Sequence, residues 1–447
     1  MFPILVVPQN VREWMDNFRN YFHREAGFDY VCRYVAGLII SPNKTLQGIH
    51  DLQVWEDKEP RCRTMHEAVF ETDWGSGQLM PCHRKLISPF YCGQGRYVIS
   101  LDWTLGHHER GPQIYGVKKG FDYTQNRYCN IQTIMTAVVS NEKRIDGIDI
   151  EIQEPGYLKE EKIYLEATVK NTYDQVEEAR NRIGELFHYH LHVKSYKKRT
   201  EIVVEQVKRI EEEGHFPDAH YAFDNGVLNL NLTKTIESFG KHWVSELECS
   251  RNVFWDNEWK RIDEVAKYLK EDSPQSFRFI QAPQRSGKCK DYWVFTKVLR
   301  LKKGYGKKRI AIVHERSDLQ DNPRFLITDA LHWESKRILN VWSYRWSSEI
   351  FHEFGKQCTG LESAQLRNEE GVKRHLRLSC IAQSILQNVP SVSSTSEKFT
   401  FAQGQSTLGQ KWRSIMREVF QGVLMRVKRF ILEGKEVQDI MNILMPV

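Results

Sequence analysis

Apolar positions follow two different periods along this chain, and the period changes near Gly95. Up to about residue 85 the spacing is helical. Between Val11 and Ala26 the residues Trp14, Phe18, Tyr21 and Phe22 recur at helix spacing and predict a first helix. A second is predicted over Tyr30 to Ile39. Ser41-Pro42 then precedes NKTLQGIHDLQVW, where a serine cap with proline in the first turn predicts a third helix start. Helix, turn and helix suit a DNA-reading unit and equally an ordinary helical hairpin. Beyond Gly95 the pattern is strand-like. RYVISLDWT is a buried run ending in polar residues, IYGVKKGFDY and TIMTAVVSN supply the next strands, and IDGIDIEIQ alternates.

Helical spacing returns over Lys197 to Glu213, with Gly214 as the stop. HFPDAHYAFDNG reads as a short strand running into a polar loop, with Asp218 at a strand end. In YWVFTKVLRLKKGYGKKRIAIVHE two β-rich runs flank a Lys-Gly-Tyr-Gly-Lys turn and predict a hairpin. Glu334 to Gln387 is helical. Residues 388–410 read as a Ser/Gln-rich linker, followed by a helix from about Gly409 to Leu432 and a short last one after Gly434. The order predicts an α/β (α+β) fold, a mixed core with helical appendages.

Composition narrows the function classes. The 447 residues are 40% hydrophobic and 12% aromatic, so a globular chain of several domains is expected. No apolar run reaches the ~18–20 residues of a membrane span, and the N-terminus lacks a secretory pattern, so a cytoplasmic protein is expected. Nine cysteines without a CxxC argue for reduced thiols rather than a disulfide scaffold. The net charge of +6 permits a polyanionic partner, and clustering then matters more than the total. Between Lys297 and Arg309 seven basic residues, among them Lys302, Lys303, Lys307, Lys308 and Arg309, occur with no acidic one, a candidate phosphate-contacting ribbon.

Three carboxylates are the candidates for chemistry. On a continuous helix Trp342, Arg345, Glu349 and Lys356 fall within about 60° of one another, which would gather a ring, two cations and a carboxylate on one face. Such a set can hold a divalent metal and clamp phosphates, although an Arg345–Glu349 ion pair on a solvated face accounts for part of it, and Glu353 lies near the same face. Asp102 follows the apolar run YVISL, where a carboxylate needs a partner. Asp218 is the third. Carboxylates from two strands and one helix can hold two Mg²⁺ ions ~3.5–4 Å apart for in-line displacement at phosphorus.

These motifs resemble a known family. Arg345-x3-Glu349-x6-Lys356, with Trp342 where tyrosine is usual, is similar to the Y-x2-R-x3-E-x6-K motif of bacterial insertion-sequence transposases of the DDE, RNase H-like superfamily. Asp102-Trp103-Thr104 matches the D-x-T motif, and DAHY from Asp218 the second. The resemblance implies an RNase H-like mixed-sheet core at 91–250 and 326–390, a β-rich insertion at 251–325, a helical DNA-binding region at 1–90, with Arg33 and Lys44 as candidate contacts, and a linker with C-terminal helices at 391–447. The insertion would fill the 131 positions between Asp218 and Glu349.

It further implies that Asp102, Asp218 and Glu349 hold two Mg²⁺ ions, with Mn²⁺ as substitute. Trp342, Arg345, Lys356 and the basic ribbon would contact DNA, and Trp259 or Trp293 would stack on a flipped base. The partners would be double-stranded DNA, both terminal inverted repeats and target, and a second copy of the chain, with no membrane and no nucleotide cofactor. The alternatives are a transposase-derived DNA-binding regulator and a nonspecific RNase H-like nuclease. A zinc site on His188, His190 and His192 is a distant further reading, and QRSGKCK and GQGRYV are too incomplete for nucleotide binding.

Overall fold

The computed structural model describes residues 3–55, 59–109, 111–122, 125–154, 197–390 and 407–444. The His188–His192 run and most of the 388–410 linker lie outside them.

A single mixed sheet of twelve strands organises the chain. β1 (Val98–His107) is central. β3 (Arg127–Ser140) pairs antiparallel with it, and β2 (Lys118–Asp122) and β4 (Ile145–Ile152) pair antiparallel with β3. On the other side β5 (His220–Phe223) and β6 (Trp243–Glu246) run parallel to β1. The order β4-β3-β1-β5-β6, three antiparallel strands and then two parallel ones, is the sheet expected of an RNase H-like core. Parallel strands need crossovers, and the Arg199–Glu213 and Leu230–Ser238 helices precede and follow β5 accordingly. Gly214 closes the first of these at φ 67°, the left-handed conformation its position predicts.

The β-rich insertion continues the same sheet. β12 (Arg324–Thr328) pairs antiparallel with β6, and beyond it lie β11 (Gly306–His314), β10 (Cys289–Leu301), β7 (Asn252–Trp255) and β8 (Glu258–Arg261), with β9 (Arg278–Pro283) also on β10. The predicted hairpin is β10–β11, with Trp293 opposite His314 and Leu301 opposite Gly306.

The N-terminal helices are not free-standing. Glu25–Ile40 buries nearly one whole face and packs on the Glu369–Asn388 helix, where the Tyr34 hydroxyl and His375 Nδ1 lie 2.7 Å apart. One apolar core runs from Ile4 through the sheet to Val419. The predicted first helix divides into Gln9–Met15 and a 3₁₀ segment. Ser41 ends the Glu25–Ile40 helix rather than starting the next, whose cap is Thr45, accepting from the Gly48 amide. Arg33 is held by Asp29 (2.8 Å) and lies over Trp55. Lys44 Nζ donates to the Ser41 carbonyl (2.7 Å), and burial lowers its pKa to about 8. Both side chains expected to meet DNA are therefore engaged internally. Arg84, 2% exposed, forks onto Glu213 (2.6 and 2.5 Å) and donates to the Ile148 carbonyl, tying the N-terminal region to the core. No helix among the described residues is long and apolar enough to cross a membrane.

Candidate active site

β5 ends beside the middle of β1, and this is what builds the site. Leu101 pairs with Phe223 in parallel register, so the next residues, Asp102 and Asp224, lie abreast on adjacent strands. Asp102 is 8% exposed, and its Oδ1 accepts from the Trp103 amide at 2.8 Å. Asp224 caps the loop after β5, its Oδ1 accepting from the amides of Gly226 (3.0 Å) and Val227 (3.2 Å). Asp224 lies at the carboxyl end of β5, where open α/β sheets place their sites, and Asp102 lies where the parallel pairing of β1 with β5 stops.

The third carboxylate arrives on the Trp346–Cys358 helix. That helix lies across the sheet through three side chains one turn apart. Ser348 Oγ donates to Ser100 Oγ on β1 (2.7 Å), His352 Nε2 meets Thr136 Oγ1 on β3 (2.8 Å), and Lys356 Nζ donates to the Leu105 carbonyl of β1 (2.6 Å). Residues 348, 352 and 356 share one stripe. Glu349 stands about 100° round from it, at the margin of the contact. Burial, then Lys356, lowers His352 to about 3, so the imidazole is neutral there. Close approach depends on Gly147 of β4, where a Cβ would come within 2.6 Å of the Phe351 ring.

Burial, then the neighbouring Asp224 and more weakly Glu349, push the Asp102 carboxyl up to about 7, against the Trp103 amide and Arg345. The other buried aspartates here have partners: Asp122 has His107 at 2.7 Å, and the remaining two are neutralised by arginine. Asp146 has Arg144 at 2.5 Å, and Asp149 has Arg209 at 3.0 Å. Among the described residues no cation lies within 4 Å of Asp102. An all-oxygen donor set of three carboxylates with one arginine, on Glu349, keeps surplus negative charge and fits a hard divalent ion such as Mg²⁺ or Mn²⁺.

Asp218 is elsewhere. It precedes β5 rather than ending it, it is exposed, and its amide donates to the Tyr97 hydroxyl (3.0 Å) at the amino end of β1. His220 is level with Val98, and the four steps from His220 to Asp224 span roughly 13 Å. The sequence signal for Asp224 is the one that marks Asp102. Each is the first carboxylate after an apolar run, YAF in one case and VISL in the other.

The remaining candidates divide. The predicted continuous helix breaks after Ser343, and Arg345 caps the second segment. Its Nη2 holds Glu349 Oε1 at 2.5 Å, and its guanidinium lies 5.3 Å from the Trp342 ring. Trp342 itself is 8% exposed within a second apolar cluster and packs against Arg345. The open ring beside that guanidinium is Trp346, 57% exposed. Lys356 is a structural clamp, shared between the Leu105 carbonyl and Glu362 (3.5 Å). On the ribbon, Lys308 is buried against Glu237 (2.9 Å) and Arg309 donates to the Leu331 carbonyl (2.7 Å), so neither projects freely. Lys302, Lys303 and Lys307 are exposed. The hairpin tip bearing Lys302 and Lys303 shares a groove with Leu228, in the loop that follows Asp224, and with Arg251. Of the two tryptophans, Trp259 is 40% exposed and carries Lys302 over its ring at 5.1 Å, whereas Trp293 is partly buried against the core.

No family model matches the chain, and no curated relative matches it. Among solved structures it is similar to the piggyBac transposase in a cryo-EM structure of its synaptic complex with hairpin DNA. The TM-score is 0.42 at 12% identity, over 98% of this chain and 82% of that one. It is also similar to the crystal structure of the NurA nuclease from Sulfolobus solfataricus, with a TM-score of 0.21 at 12% identity over 57% of this chain and 73% of that one. Likenesses this distant do not bear on the chemistry of the site.

Proposed function

We propose that the chain is a DDE-type DNA transposase that binds the terminal inverted repeats of a mobile element, cuts there and joins the freed ends to target DNA. The observation that carries this reading is the convergence of Asp102, Asp224 and Glu349 around a carboxyl raised to about 7 with no neutralising arginine of its own. The three carboxylates would hold Mg²⁺, whose chemistry is to activate the attacking oxygen and to stabilise the leaving one.

The chain's own residues bind and orient. Arg345 holds Glu349 in place and presents its remaining guanidinium donors to a phosphate next to the scissile bond. Trp342 fixes that guanidinium from beneath, and Trp346 offers an open ring for a base. Ser348, His352 and Lys356 keep the helix registered on the sheet, so that Glu349 stays opposite the two aspartates. Lys302, Lys303 and Lys307 would track the backbone of the bound duplex. In the first step water forms a new P–O bond, the P–O3′ bond breaks and a 3′-hydroxyl is freed. In the second that hydroxyl forms a P–O bond to another phosphodiester, whose P–O3′ bond breaks and releases its own 3′-hydroxyl. Acting on two ends at once calls for two copies of the chain on DNA.

The test is cleavage of a labelled duplex taken from the DNA flanking the coding sequence, with Mg²⁺ or EDTA. Metal-dependent nicking that Asp224→Asn and Glu349→Gln abolish, and Asp218→Asn leaves intact, is the expected result. Tight specific binding without cleavage in any metal would leave a DNA-binding regulator instead. Cleavage lost in Asp218→Asn and kept in Asp224→Asn would overturn the assignment of the second carboxylate.

A further inference from the structure

A second group of ligating side chains lies on the other face of β1, five residues beyond Asp102. The registers put His107 level with Ile131, Ile131 level with Lys118, Cys129 level with Gly120 and Asp122 level with Arg127. Residues of one parity share a face, so His107, Cys129 and Asp122 project from the same side of three adjacent strands. Their ligand atoms all lie within 4.8 Å of one another. His107 Nε2 and Asp122 Oδ2 are 2.7 Å apart, the aspartate side chain being 3% exposed and the imidazole 25%. On the other side of the ring, His107 Nδ1 faces Glu362 Oε2 at 3.8 Å.

We infer that His107, Asp122 and Cys129 form a zinc site separate from the carboxylate trio. The donors are one imidazole nitrogen, one carboxylate oxygen and one thiolate, a mixed set that suits Zn²⁺ and that a hard ion such as Mg²⁺ does not favour. A tetrahedral zinc with bonds of ~2.0–2.3 Å spaces its ligands about 3.3–3.7 Å apart, so the three need only small adjustments to close on an ion. Glu362 stands next to the ring: its Oε2 accepts from the His107 amide at 3.3 Å, and a small turn of the imidazole would bring Nδ1 from 3.8 Å to hydrogen-bond distance. A carboxylate on the far ring nitrogen of a metal-bound imidazole fixes its tautomer and orientation. The partial exposure of His107 leaves water as the fourth ligand. The ion would pin the edge strand β2 to the end of β1. It would also hold Glu362, whose Oε2 lies 3.5 Å from the Lys356 ammonium on the helix that carries Glu349.

Cobalt(II) is the probe, because a cobalt–thiolate bond gives an intense near-ultraviolet charge-transfer band that an all-oxygen site cannot produce. Titrating the full-length, metal-stripped chain with Co²⁺ should develop this band at one equivalent, and Zn²⁺ should abolish it. Cys129→Ser should remove the band while circular dichroism and the melting temperature without metal stay as in the wild type. His107→Gln should keep a thiolate but weaken binding at least about 100-fold, and Glu362→Gln should weaken it about 10-fold. Absence of the band in the wild type, or its survival in Cys129→Ser through the exposed Cys249 or Cys289, would overturn the proposal. Asp102→Asn should leave this titration unchanged, so failure here and failure of the transposase reading are distinguishable.

Discussion

The sheet divides at the β6–β12 pair into two halves that treat charge in opposite ways. In the core half, from β4 to β6, buried aspartates carry partners, Asp146 and Asp149 an arginine each and Asp122 a histidine. In the insertion half, cations sit exposed on a hairpin tip without a carboxylate partner among the described residues, as Lys302, Lys303 and Lys307 do. Each half has an exception. Asp102 is buried without a cation, and Lys308 is withdrawn from its exposed neighbours into a pair with Glu237. Burying an unpaired charge is costly, so the Asp102 exception points to a ligand from outside. The Lys308 exception is satisfied within the chain and points to structure.

The largest expected effect tests the first exception. Asp102→Asn, Asp224→Asn or Glu349→Gln should each cut DNA cleavage by about 10²–10³-fold or more, as expected when a principal source of transition-state charge stabilisation is removed. Asp218→Asn should stay within about twofold in the same assay.

Stability follows next. An acid whose folded pKa is raised binds more protons folded than unfolded. Stability therefore falls as pH climbs from the ordinary value near 4 through about 7, and the whole loss is present above that. Without metal, Asp102→Asn should be more stable than wild type at pH 8, by on the order of 1–4 kcal/mol, and nearly equal to it at pH 4. Thermal melts at the two pH values check this. Added Mg²⁺ should narrow the gap at pH 8 by stabilising the wild type.

Lys308→Ala should cost about 1–3 kcal/mol in a denaturant melt, because Glu237 loses its partner in a partly buried place. It should leave the salt dependence of DNA binding unchanged. The smallest effect belongs to the exposed cations. Replacing Lys302 and Lys303 with alanine should lower the slope of log affinity against log salt by about 0.9 for each phosphate no longer neutralised, with melting unchanged. A reversed outcome for these last two pairs of measurements would erase the contrast between the halves.

Much of this is legible in the sequence. The strand runs, the Arg199–Glu213 helix with its terminal glycine, the β10–β11 hairpin and the helical C-terminal portion follow from period and punctuation. Asp102 stands out because an apolar run delivers it. Asp224 obeys the same rule, yet the short DAHY motif favours Asp218 over the residue at the strand's own end. Register places only Asp224 level with Asp102, and register is a property of two strands, invisible in either one alone. The break after Ser343 is hidden because the periodicity runs through it. The partners of Lys308, Lys356 and Arg33 come from 71, 251 and 4 positions away, and only the last lies within reach of a local pattern.

The position of the insertion also orders events in time. Asp224 and Glu349 are separated by 125 positions, nearly all of them spent on β6, the insertion strands and the helix at Ser335–Ser343. At ~5–20 residues per second, a ribosome takes roughly 6–25 s to travel from one carboxylate to the other. During that interval two of the three acidic groups have been made and the third has not. If the proposed trio is the cutting centre, the growing polypeptide cannot damage nearby chromosome until the segment that grips the duplex has been synthesised.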